Sequence, residues 1–414
     1  MRGKQKIFKD YIEKLKQTDD FAKIQDLLAT NKYFLGVRED YLSIYYMGMS
    51  IAKVEIKNQG IKYKLSYYYL KGVKDNNGVK IYDNKEKGYF SLSSEMFWNK
   101  DNFNQIIENV EKHVLGFGND NKTYLEKACQ QWIINTNNND PNSAWYYVDM
   151  EYIYKEDGKK ENHPFGRADI IAISKKPNDK GIFNIAFVEL KVGTGAYNVT
   201  IKVPEGIKNA GKADEYRKEV KACLGDKDKF WEIKDVKLGS GLASHVVDYM
   251  HFFSNEKAKE QLQQEILGII EVHKQFDLIS KDAPLYTGLS SGAKISKTSD
   301  IYIVTYSEVP EIKKNRLSIE AQNKYEVPSM PKMKEQFAKY FFDVKGSSSM
   351  NIENLINNEV IQGFIGLKQK YIAFAQNDEM QIECMQKIGD TDYRFIFRFI
   401  DIKDENINPA NCIG

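Results

Sequence analysis

The chain reads as a mixed α/β core within a protein that is α+β overall. A mixed central sheet flanked by helices follows an N-terminal α+β domain and precedes a C-terminal α+β extension. Three observations predict this. In mid-chain, Ala168 to Ser174 and Phe183 to Val192 are apolar runs separated by a polar turn, Lys175 to Gly181. One apolar stripe at helical spacing precedes them (Leu125, Ala128, Cys129, Trp132) and another follows (Leu262, Ile266, Ile269, Ile270). Nearer the N-terminus the spacing changes from helical to strict alternation. The expected domains are 1–117, 118–310 with a lysine-rich insertion at 196–238, and 311–414.

Taken in order, Lys6 to Gln17 sets Phe8, Tyr11, Ile12 and Leu15 on one side of a helix. Asp20 to Ala29 does the same with Phe21, Ile24 and Leu28. Tyr41 to Tyr46 and Ile51 to Ile56 flank Met47-Gly48-Met49-Ser50 as a hairpin. Ile61, Tyr63, Leu65, Tyr67 and Tyr69 alternate with polar neighbours, and Phe103 to Val114 returns to helical spacing. The tyrosines fit a half-solvated sheet; stacking on single-stranded nucleic acid is the functional alternative.

The core opens with a helix, Thr123 to Ile134, and Asn135 to Asn142 is expected as a polar loop. Trp145 to Tyr154 alternates as a half-exposed strand with Asp149 and Glu151 at one parity. The next strand carries Asp169 near its start. Phe183 to Val192 is apolar at both parities, as a strand covered on both faces should be. Glu189 and Lys191 break that pattern on the face of Phe183, Ile185 and Phe187. Such charges are costly to desolvate unless something charged meets them. Asp169 can place a second carboxylate beside Glu189, and a hard divalent cation relieves their repulsion. Lys191 then stands where it can orient or help deprotonate a water, an arrangement that fits metal-assisted phosphodiester hydrolysis.

Asp169, 19 intervening residues and Glu189-Leu190-Lys191 resemble the active-site signature of the PD-(D/E)XK nuclease superfamily, the restriction-endonuclease-like fold. The likeness covers roughly 120 to 310. It implies that Asp169 and Glu189 bind Mg²⁺ or Mn²⁺ with the Leu190 carbonyl, and that Lys191 serves catalysis. It also implies a metal role for Glu126, on the helix before the first core strand. Thr123-x-x-Glu126 is equally a capping box, so both readings of Glu126 stay open. Ala168 stands where the family often has Pro. Asp149 or Glu151 could approach the metal from the side, and His163 falls in a nearby loop. Gly239 to Asp248 resembles the Gly-rich turn and His-x-x-Asp helix of some branches, which would aim His245 and Asp248 at the centre, on the face of Tyr249 and Phe252.

Downstream, Ala196 to Leu238 is either a solvated insertion or a lysine clamp on the phosphate backbone. Gly288 to Lys294 lacks the Gly-Lys-Ser/Thr ending of a phosphate loop, which excludes an NTPase reading. Gln261 to Leu278 is an amphipathic helix, and Ile301 to Tyr306 is expected to close the sheet. Further on, Met333 to Phe342 is expected as a helix, and Val360 to Ala375 and Tyr393 to Asp401 as strands.

With 414 residues, two or three domains are expected, and 42% hydrophobic with 29% charged residues is ordinary for a soluble protein. No apolar run approaches a span of about 20 residues, and the N-terminus opens no signal peptide, so no membrane partner and a cytoplasmic location are expected. Cys129, Cys223, Cys384 and Cys412 are far apart and read as free thiols rather than zinc ligands. A net charge of +2 requires any nucleic-acid face to be a local patch. The expected activity is metal-dependent nuclease action, on DNA rather than RNA, with restriction or antiviral defence as analogy only. A homodimer would suit duplex cleavage. The alternative is an inactive nuclease-fold protein that binds nucleic acid or regulates a partner.

Overall fold

A computed structural model describes residues 5–57, 60–81, 88–115, 122–154, 167–192, 201–224, 237–238, 249, 252, 255–289, 294–306, 381–388 and 391–402. It is a mixed α+β protein. The N-terminal third begins with α1 (Gln5–Lys16) and α2 (Asp19–Ala29). An antiparallel meander follows: β1 (Tyr33–Val37), β2 (Leu42–Tyr46), β3 (Met49–Lys57), β4 (Gly60–Ser66) and β5 (Tyr89–Ser93). The expected hairpin is β2–β3, turned by Met47 and Gly48, both at positive φ (49° and 73°), as a two-residue turn of right-handed twist demands. Next come α3 (Ser94–Trp98) and α4 (Lys100–Leu115).

The remainder builds one six-stranded sheet. Its elements are α5 (Lys122–Asn139), β6 (Trp145–Ile153), β7 (Arg167–Ser174) and β8 (Ile182–Val192). The insertion contributes β9 (Ile201–Lys202), α6 (Glu205–Asn209), α7 (Ala213–Leu224) and β10 (Lys237–Leu238). After it come α8 (Glu256–Gln275), α9 (Pro284–Gly288), β11 (Lys294–Tyr306), β12 (Gln381–Ile388) and β13 (Thr391–Ile402). The order is β12-β13-β11-β8-β7-β6. β6, β7 and β8 are antiparallel neighbours, β11 runs parallel to both β8 and β13, and β12 is antiparallel to β13. The parallel β8–β11 pair needs a crossover, and α8 lies on that connection.

Two helical layers cover the sheet. Val188 and Leu190 of β8 pack with Cys129, Ile133 and Ile134 of α5. The alternate residues Phe183, Ile185 and Phe187 pack in the same apolar cluster as Leu262, Ile266 and Ile270 of α8. Burial on both faces is why β8 is apolar at both parities.

Three expectations change. The polar stretch from Asn135 is not a loop: α5 continues to Asn139, because partners outside the helix satisfy its polar groups. Asn138 exchanges two bonds with the Tyr147 main chain (2.7 and 3.0 Å), and Lys175 Nζ caps the helix end at the carbonyls of Asn137 and Asp140 (2.8 and 2.6 Å). β6 is buried along most of its length rather than half exposed, because α5 covers one face and an apolar cluster the other. β11 lies inside the sheet instead of closing it, since β13 and β12 extend the same hydrogen-bonded ladder. The C-terminal strands are thus part of the main sheet; the segments 333–342 and 360–375 lie outside the described residues.

The N-terminal unit shares its core with the central sheet. One apolar cluster runs without a break from Ile12, Leu35 and Val54 to Phe187, Ile266 and Ile295. Polar contacts reinforce it. Gln131 of α5 donates to the Lys32 carbonyl (2.9 Å) and accepts from the Gly48 N–H (2.6 Å). A Cβ on Gly48 would meet the Lys127 main chain at 2.2 Å, so only glycine lets the hairpin dock there. Among the described residues no helix is long and apolar enough to cross a membrane.

Candidate active site

The site begins with strand alternation. Glu189 continues the face of Phe183, Ile185 and Phe187, and is completely buried. β7 and β8 pair Ile170 with Val188 and Ile171 with Phe187, so one further step sets Asp169 beside Glu189. Asp169 is 6% exposed. Its Oδ2 accepts the Leu190 N–H at 2.9 Å, a side-chain bond where the strand ladder stops. In a strand the N–H and C=O of one residue point to the same edge, so the Leu190 carbonyl turns toward the Asp169 side too.

Glu189 is held by a residue that the sequence had placed on the helix face shared with His245. The Tyr249 hydroxyl donates to Glu189 Oε2, and its ring stands edge-on against Phe187 (5.2 Å between centroids, 88°). Phe252, one helical turn on, packs against Phe187 as well (5.5 Å). The three-residue spacing of the aromatics was legible; the bond to Glu189 was not.

The remaining candidates separate. Lys191 follows Glu189 by two residues on β8, in register with Thr305 of β11. Glu126 is half-buried on α5, near enough to Cys129 to help burial push that thiol up to about 12. α5 packs against the Val188–Leu190 face of β8, and strand alternation puts Glu189 on the other face. The helix starts at Lys122, which sets Thr123 inside its first turn. Asp149 is buried and bound to Arg38 Nη1 (2.8 Å), and Glu151 meets Lys127 Nζ (3.6 Å). Both therefore engage groups other than the acid pair. His163, His245 and Asp248 lie outside the described residues. His273, which the sequence leaves as either a packing or a surface residue, is fully buried, its Nε2 bonded to the Leu35 carbonyl and its Nδ1 to the Tyr146 hydroxyl. Gly288, from the rejected phosphate-loop pattern, serves packing: a Cβ there would lie 2.9 Å from the Phe183 ring.

Two anionic oxygen donors on adjoining strands, both nearly dry, suit a hard divalent cation. Among the described residues, no group of three or more His, Cys, Asp or Glu side chains is arranged to hold a metal; the set here is two carboxylates with one carbonyl between them. Comparison of the chain with protein-family models, curated proteins and solved structures gives no match.

Proposed function

We propose that the chain is a metal-dependent nuclease on a restriction-endonuclease-like core, hydrolysing phosphodiester bonds of nucleic acid, with DNA as its expected substrate. The observation that carries this reading is the register placing Asp169 beside Glu189, with Leu190 N–H bonded to Asp169. The order α5-β6-β7-β8-α8-β11, with a parallel last strand, supports it. In this reading Asp169, Glu189 and the Leu190 carbonyl hold Mg²⁺ or Mn²⁺, which supplies charge neutralisation at the phosphate and a more acidic water. Tyr249 fixes the Glu189 carboxylate, so little reorganisation is left for the moment of reaction. Lys191, two residues along the strand, orients the attacking water.

The test compares wild type with Glu189→Gln and Lys191→Ala on plasmid, linear duplex, single-stranded DNA and RNA, with Mg²⁺, Mn²⁺ or a chelator. Cleavage by wild type alone, abolished by the chelator, is the expected result. Equal cleavage by all three proteins would sink the assignment. Metal-independent binding with no cleavage by wild type would instead favour the binding or regulatory alternative.

A further inference from the structure

A cleft of about 320 Å³ lies between the N-terminal sheet and α5. Tyr68, Tyr69, Tyr89, His113, Lys127 and Glu151 line it. Among the described residues four large apolar or aromatic side chains are exposed, and two of them, Tyr68 (62%) and Tyr89 (55%), stand on this one cleft. Exposed rings cost solvation, and two of them at one cavity mark a binding surface better than scattered singles do.

The rings are held in place. His113 of α4 stacks on Tyr68 with centroids 5.7 Å apart and planes 18° from parallel. Lys53 Nζ stands 4.6 Å and Lys64 Nζ 5.8 Å from the centre of the Tyr89 ring, which sets positive charge beside that ring, and Lys127 lines the cleft itself. Inside the cleft, Lys127 and Glu151 form an ion pair. Glu151 also sits in the left-handed region (φ 52°), uncommon for a residue with a side chain.

We infer that this cleft binds a nucleotide, with its base on the tyrosine rings, its phosphate on the lysines and a base N–H on the Glu151 carboxylate. Planar rings, rim cations and one interior acceptor match those three parts of a nucleotide together. An inorganic phosphate has no use for the rings, and an apolar chain none for the charges. The site also abuts the acid pair through the backbone. Met150 pairs with Ile170 and Tyr152 with Ala168, which leaves Glu151 opposite Asp169. A nucleotide in the cleft therefore touches the strand neighbouring the one that carries Asp169. The ligand is either a free nucleotide or one unit of a single strand.

The experiment titrates adenosine monophosphate and a short oligothymidylate into the full-length protein in a chelator, so that cleavage plays no part and failure of the nuclease reading leaves the result standing. Calorimetry is read for wild type, Tyr68→Ala, Tyr89→Ala and Tyr68→Phe. Saturable binding by wild type is expected, weakened roughly tenfold or more by either alanine and kept by the phenylalanine, which retains the stacking face. Because both tyrosines are exposed, the melting curves of the variants should overlay that of wild type. Binding of the monophosphate identifies a free nucleotide; binding of the oligonucleotide alone identifies a strand. No binding of either probe by wild type, or wild-type affinity in both alanine variants, overturns the inference.

Discussion

Asp149 and Glu189 are both buried carboxylates of one sheet, on β6 and β8 with β7 between them, and they are handled in opposite ways. Asp149 meets a guanidinium: Arg38 Nη1 lies 2.8 Å away, with Nη2 bonded to the Tyr45 hydroxyl at 2.9 Å. Burial works against the Arg38 charge, but Asp149 and Tyr45 outweigh it and hold the group above its ordinary value. Glu189 meets the Tyr249 phenol, and a second carboxylate, Asp169, stands on the next strand. The first arrangement is neutralised from within and serves to lock the N-terminal unit to the core. The second sets two carboxyl groups side by side on one face, one of them held by a phenol.

That contrast can be broken, or sharpened, by stability measurements. The largest effect should come from deleting residues 1–117, which strips one side from a continuous apolar cluster. The fragment 118–310 should show no cooperative melt by circular dichroism, and a sharp transition would show that the N-terminal unit is dispensable after all. Next, Arg38→Met leaves Asp149 buried without its cation and should cost about 3–5 kcal/mol in urea denaturation. A loss under about 1 kcal/mol, the range of exposed pairs, would mean that the pair contributes little.

A pH effect of similar size belongs to the same interface. Burial lowers His273 from its ordinary 6.5 to about 4, with the Leu35 carbonyl and Asp149 partly opposing it. The folded chain keeps this imidazole neutral while the unfolded chain takes up a proton below about pH 6.5. Stability attributable to His273 is therefore intact above pH 6.5 and lost as pH falls toward 4. The loss should be on the order of 3 kcal/mol, and His273→Gln should flatten that part of the pH–stability curve.

Smaller effects mark the acid pair. Tyr249→Phe removes one donor to a buried carboxylate and should cost about 1.5–3 kcal/mol, with slower cleavage if the nuclease reading holds. Smallest of all is Glu189→Gln, which relieves like-charge repulsion. Its melting temperature should match or exceed that of wild type, whereas a fall as large as that of Arg38→Met would make Glu189 a structural residue.

Much of this was legible in the chain because it is local. The β7 and β8 strands, the turn between them, the Met47-Gly48 hairpin and the parity of Glu189 with Phe187 all follow from spacing alone. Errors arose where distant residues decide the outcome. Asn137 and Asn138 look like loop formers until Lys175 and Tyr147 supply partners that keep α5 helical. Likewise, nothing nearby in the sequence announces the ion pairs of Asp149 with Arg38 and Glu151 with Lys127.

By itself, the sequence determined most of the strands and helices and which residues carry charge into an apolar run, since both depend largely on neighbours a few positions apart. Tertiary structure alone decided which charges meet. It gave Asp149 to Arg38 across 111 positions, set Tyr249 on Glu189 across 60, and merged the N-terminal unit with the central sheet. The reason is physical: desolvation makes a buried charge depend on its partner in space, and the chain's order does not encode that partner.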